Sequence, residues 1–184
     1  MHKVHLRSLK VETLGFLLSL AALFIPLRCG AQSIENRYRS HLGNGGITYF
    51  FCPKHVGHGA NICRFVYDMT YKMGSDSVIL NFSILTIRPM KVKKFVLQCG
   101  EEHLCEGKAV STLYADLIGK KYEIRTTSKF SMNDIYKMFS QSEELNFNML
   151  FDNGEKGSAK YGKSKWKRES QQITRIIDLI NYEK

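Results

Sequence analysis

Four residues in one short stretch, Cys52, His55, His58 and Cys63, are of the types that hold zinc. Thiolate and imidazole are the ligands this ion prefers, and the pattern reads C-x2-H-x2-H-x4-C. The spacing is tighter than a common zinc finger, so the same residues also read as a disulfide, Cys52–Cys63, closing a loop that carries two solvent-facing histidines. Two more cysteines, Cys99 and Cys105, bracket Gly100, Glu101, Glu102, His103 and Leu104. In an exported chain an even set of four favours oxidation. The expectation is therefore two bridges, Cys52–Cys63 and Cys99–Cys105, and no bound metal, with Cys52, His55, His58 and Cys63 as the fallback ligand set.

A second pattern invites phosphate chemistry. Gly157-Ser158-Ala159-Lys160-Tyr161-Gly162-Lys163-Ser164 satisfies G-x-x-x-x-G-K-[ST], the loop whose backbone N–H groups wrap nucleotide phosphates. Three facts oppose it. The preceding strand ends near Phe151, five residues too early. Twenty residues follow Ser164, too few for an acidic strand to hold magnesium. Nucleotide is scarce outside the cytoplasm. The match reads instead as a basic turn, with Ser164 capping a helix. Around it Lys156, Lys160, Lys163, Lys165, Lys167 and Arg168 crowd together, a candidate patch for an anionic ligand or a solvated face.

Catalytic signatures are otherwise missing. There is no G-x-S-x-G elbow and no H-E-x-x-H helix. His41, His55, His58 and His103 have no evident partner, and Glu143-Glu144 reads as a charged turn. Asn81-Phe82-Ser83 has the form of a glycosylation sequon inside a strand. No cofactor is implied.

The elements that must position these residues follow an export signal. Lys3, Arg7 and Lys10 precede an apolar run from Leu14 to Leu27, and Cys29-Gly30-Ala31 supplies small residues for a peptidase. The run is short for a membrane span. Cleavage is expected after Ala31, which places the mature chain in the periplasm or outside the cell. An uncleaved anchor and a lipidated Cys29 are the rival readings, and Arg28 is a poor neighbour for lipidation. The whole chain carries 27 basic and 17 acidic residues. Removing Lys3, Arg7, Lys10 and Arg28, with Glu12, leaves 23 and 16, a net of +7. Such charge favours anionic surfaces: lipid head groups, polysaccharide or acidic proteins.

Residues 32–46 read as a flexible entry segment, and 47–184 as one strand-rich domain. Phe65, Tyr67, Met69 and Tyr71 alternate with polar or smaller residues, as do Val78, Leu80, Phe82 and Ile84, around a Gly74-Ser75-Asp76 turn. Period two on both sides of a short turn predicts an antiparallel hairpin. Strands are also expected at 47–52, 92–99, around 122–126 and at 145–151, while 109–117 is ambiguous between strand and helix. Ser131 with Asp134 three places on predicts a helix start, with Ile135, Met138 and Phe139 on its buried side. A last helix over 164–181 lines Trp166, Ile173, Ile176, Ile177 and Ile180 on one face. The fold class is α+β: mainly antiparallel sheet, in sandwich form or otherwise, with a short helix and a C-terminal amphipathic helix packed on it.

The expected function is a small exported binding module. Its ligand is an anionic envelope component or another exported protein, and nothing points to nucleic acid. The competing expectations are a small exported hydrolase and a metal-binding protein using the Cys52–Cys63 loop.

Overall fold

A computed structural model describes residues 36–141 and 143–182. The expected signal segment and its cleavage point lie outside the described residues. Alternation of large apolar and polar side chains dominates the chain, and it folds accordingly into ten strands and two helices among these residues. The strands are β1 (Tyr38–Gly43), β2 (Gly46–Gly59), β3 (Ile62–Lys72), β4 (Ser77–Thr86), β5 (Val92–Cys99), β6 (Glu102–Glu106), β7 (Lys108–Ile118) and β8 (Lys121–Ser131). Helix α1 (Met132–Ser140) follows, then β9 (Leu145–Phe151), β10 (Lys156–Tyr161) and helix α2 (Lys163–Tyr182).

The strands form two antiparallel sheets. One has the order β1-β2-β3-β4-β8-β7 and the other β10-β9-β5-β6. The hairpin predicted at 64–72 and 78–85 is present, with Tyr71 facing Val78 and Phe65 facing Ile84. Its alternating set Phe65, Tyr67, Met69 and Tyr71 is buried, as is Val78, Leu80, Phe82 and Ile84. The sheets meet through aromatic rings from both sides. Phe82 lies 4.2 Å from Phe95 and Phe65 lies 4.7 Å from Phe147, centroid to centroid. Each such ring removes on the order of 150–250 Å² of surface from water, so this cluster is the main apolar glue between the layers.

The two helices bury further apolar side chains. Ser131 caps α1 as its sequence predicts, its hydroxyl accepting the N–H of Asp134 at 3.0 Å, and Ile135, Met138 and Phe139 are buried. Trp166 of α2 stacks on Phe139 at 5.3 Å and donates its indole N–H to the Gln141 carbonyl. Ile173, Ile176, Ile177 and Ile180 continue that buried face.

Several boundaries differ from the expectation: glycine- and charge-rich stretches that read as loop are strands where a neighbour supplies hydrogen-bond partners, and the segment 109–117, open between strand and helix, is strand. The entry segment ends in edge strand β1, paired with β2 from Tyr38↔Phe51 to Gly43↔Gly46. β2 runs through the supposed Cys52–Cys63 loop, tolerating it by register shifts after Phe51, His55 and Gly57. Residues 102–106 form β6 rather than a loop, and 108–118 is strand. No helix among the described residues is long and apolar enough to cross a membrane.

Candidate functional site

The cysteines are held apart as thiols rather than joined. In the β2–β3 ladder Lys54 faces Tyr67 while Gly59 faces Ile62. Cys52 therefore sits beyond Lys54 at one end and Cys63 beside the turn at the other. At a rise of about 3.3 Å per residue they are on the order of 15 Å apart, far beyond the ~7 Å Cα limit of a bridge. Cys99 faces Glu102, and Cys105 faces Leu97. Those two thiols are diagonal neighbours, a relation that separates side chains by about 7–8 Å. Both expected bridges are thus replaced by strand register. Burial raises the Cys99 thiol above its ordinary range, and burial, with Asp134 nearby, pushes Cys105 up to about 12.

The same register dissolves the fallback metal set. Cys52, His55 and His58 are strung along one strand, both histidines are exposed, and no three metal-ligating side chains converge among the described residues. His41 on β1 and His103 on β6 are exposed as well. The amide of Asn81 is engaged, donating to Asp68 at 2.9 Å, beside an Arg125 that pairs with Asp68 and donates to Ser83.

The phosphate-loop match falls on a strand, not on the turn expected of it. Lys156–Tyr161 is β10, paired with β9 from Lys156↔Leu150 to Tyr161↔Leu145, and Ser164 lies inside α2. A strand spends its N–H groups on its neighbour and the hairpin tip; the Ser158 N–H goes to the Ala60 carbonyl at 3.1 Å. They are not free to wrap a phosphate. The basic cluster divides in the same way. Lys160 pairs with Glu144, and Lys163 pairs with Glu143 at 3.0 Å. Lys165, Lys167 and Arg168 are exposed on α2. Lys156 projects from the far end of β10.

Lys156 there joins a surface that the sequence reading did not single out. Register places β10, β9 and β5 side by side, so Lys156, Leu150 and Lys94 form one row across the sheet. Ser158, Asn148 and Val96 form the next, and Lys160, Asn146 and Gln98 the third. All face solvent, because the residues alternating with them, Phe147, Met149, Phe95 and Leu97, are buried. The Asn148 amide donates to the Gln98 side-chain oxygen at 2.8 Å. Lys94 pairs with Glu106 at 2.6 Å. Over this face lies an open groove of about 490 Å³, its floor largely apolar from Val96, Met149, Leu150 and Gly157, with Lys94, Gln98, Asn148, Lys156 and Ser158 as its polar lining and Ala60 of the β2–β3 turn as its wall. Asparagine is disfavoured in strands. Two on alternate positions of β9 are thus a local departure of the kind that accompanies function. The signal in the sequence is Leu-Asn-Phe-Asn-Met-Leu-Phe at 145–151, whose apolar half marks the strand and whose polar half marks this face.

A buried ionic cluster lies elsewhere, under α2. Glu169 is 4 % exposed. Its carboxylate is 3.3 Å from the Arg37 guanidinium and 3.7 Å from the Lys54 ammonium. Burial holds its carboxyl above the usual carboxylate range, against the pull of Arg37 and Arg168. Burial, with Glu169 close by, raises Tyr161 to about 12 and Tyr67 well above its ordinary value. This cluster ties the segment before β1 and strand β2 to the C-terminal helix.

Compared with known protein families, curated proteins and solved structures, the chain matches none of them.

Proposed function

We propose that this chain is an exported, non-enzymatic binding module that receives an acidic polysaccharide of the cell envelope on the open face of its four-stranded sheet. The observation that carries this reading is the groove over Asn148 and Gln98, flanked by Lys94 and Lys156. Side-chain amides and the Ser158 hydroxyl both donate and accept, as sugar hydroxyls require. Lysines at the margin suit carboxylate or sulfate groups, and a net charge of +7 on the expected mature chain brings such polymers to the surface. An open groove rather than a closed cavity suits a polymer that continues past both ends. Export rests on the N-terminal pattern of Lys3, Arg7 and Lys10, the apolar run and Ala31.

The test is titration calorimetry of the purified protein against polygalacturonate, with an uncharged glucan as comparison. Saturable, salt-sensitive binding to the acidic polymer is expected. Lys156→Glu and Asn148→Ala should each weaken it, the charge reversal by roughly tenfold. Lys165→Glu, on α2, should leave it unchanged. Equal binding by all variants, or none to the acidic polymer, overturns the reading.

A further inference from the structure

Strand β7 ends the six-stranded sheet: among the described residues β8 is the one strand that pairs with it, while β5 of the other sheet packs against it, the Gly107 N–H just before its start donating to the Phe95 carbonyl at 2.8 Å. It is eleven residues long and exposes Leu113, Tyr114, Leu117 and Ile118. An edge of that length carrying apolar side chains is a template for another strand. Its charges specify which. Lys108 faces Lys129 in the ladder, and Asp116 faces Glu123. Both ends of β7 thus oppose a like charge within their own sheet, an arrangement that destabilises a strand pair. Glu123 is already engaged by Arg64 at 2.5 Å and by the Tyr114 hydroxyl at 3.1 Å. No hydrogen bond or ion pair reaches the Lys108 or Asp116 side chain among the described residues.

We infer that the partner of β7 is β7 of a second copy of this chain, paired antiparallel about a two-fold axis at Thr112. That register sets Lys108 of each copy opposite Asp116 of the other, so both misplaced charges gain an opposite charge across the new edge. The residue count fits the symmetry, while the irregularities themselves lie at unequal distances from Thr112, one between Lys108 and Ser111 and the other between Thr112 and Tyr114. Lys108 to Thr112 is four residues against three of β8, Lys129 to Thr126, and Thr112 to Asp116 is again four against three, Thr126 to Glu123. One extra residue falls in each half, so the midpoint counted along the chain and the midpoint counted along the ladder are both Thr112. Bulges usually blunt an edge. Here they leave a strand complementary to itself. Thr112 meets its own symmetry mate, and Leu113 and Tyr114 lie beside the axis. The contact is isologous and closes at two copies, making one sheet continuous across the pair. It uses the edge opposite β1 and none of the residues that line the lysine–amide groove, so it does not rest on the polysaccharide reading.

The experiment is sedimentation equilibrium of the purified protein over a wide concentration range. A reversible dimer is expected. Asp116→Lys, which places lysine against lysine twice, should weaken self-association by roughly tenfold, and Lys108→Asp should do the same. Lys108→Asp/Asp116→Lys should restore it. Both positions are exposed, and circular dichroism checks that each variant is folded. Thr112→Cys should give an oxidised dimer in which residue 112 is bonded to residue 112 by peptide mapping. Monomer at every concentration overturns the inference. So does a dimer indifferent to Asp116→Lys, or one that the double exchange does not rescue.

Discussion

Gly59 sits where the tip of the β2–β3 hairpin meets the edge of β10, and replacing it tests how the two sheets are locked at that corner. A methyl added there would stand 1.9 Å from the Ser158 carbonyl oxygen, 2.8 Å from its carbon and 3.2 Å from the Ala159 Cα. All three are backbone atoms, so no rotamer relieves the overlap. Gly59→Ala must push the tip off β10 by about 1 Å or more, the kind of overpacking that costs roughly 1–3 kcal/mol. The displacement strains two hydrogen bonds: the Ser158 N–H to the Ala60 carbonyl at 3.1 Å, and the Asn61 amide to the Lys156 carbonyl at 2.8 Å. Each contributes about 0.5–1.5 kcal/mol net. Restricting the unfolded chain offsets about 0.4–1 kcal/mol. The sum is a loss of about 2–4 kcal/mol, which for a domain of this size lowers Tm by roughly 5–15 °C. Scanning calorimetry measures it. Gly43→Ala is the comparison, since a methyl there meets only the His41 ring at 3.7 Å. A Gly59→Ala protein melting within about 1 °C of the parent would refute the docking of the tip on β10, and with it the wall of the groove.

Two further outcomes follow from the buried groups. Burial raises the Glu169 carboxyl, so the folded chain holds this proton more tightly than the unfolded one, whose glutamate ionises near about 4.3. Stability from this group is greatest in acid and falls as pH rises from about 4 through the raised folded value. Glu169→Gln should flatten that slope in denaturant titrations and cost less than about 1 kcal/mol at neutral pH, because Arg37 and Lys54 are about one-fifth exposed and stay hydrated. A loss above about 3 kcal/mol would mean that the ion pair outweighs burial. Thiol labelling of the unreduced chain 32–184, which lacks Cys29, should count four thiols in all. Cys52 and Cys63 should react first, and Cys99 and Cys105, each 7 % exposed, only on unfolding. Fewer than four thiols on complete unfolding would contradict the strand register.

Legibility in the sequence followed periodicity. The β3–β4 hairpin, β5, β9 and both helices were readable because one face of each is apolar over several repeats, and burying that face leaves little choice of conformation. The cap at Ser131 was readable because its partner, Asp134, is three residues away. β1, β6 and the second half of β2 were not, because their text is polar or glycine-rich and what makes them strands is a neighbour's backbone.

The class of the molecule, an antiparallel sheet with a short helix and a C-terminal amphipathic helix, is written in the order of its residues, since alternation and helical spacing are local properties of the chain. Which side chains share a surface depends instead on long-range packing. Cys52 and Cys63 are eleven positions apart in the chain and stay apart in space, because β2 continues as a strand instead of looping back. Lys94, Gln98, Asn148 and Lys156 are scattered over three strands and become one surface. Register between strands is a long-range choice, fixed by which faces bury together, and a single residue's slip would have sent every one of these side chains to the other side.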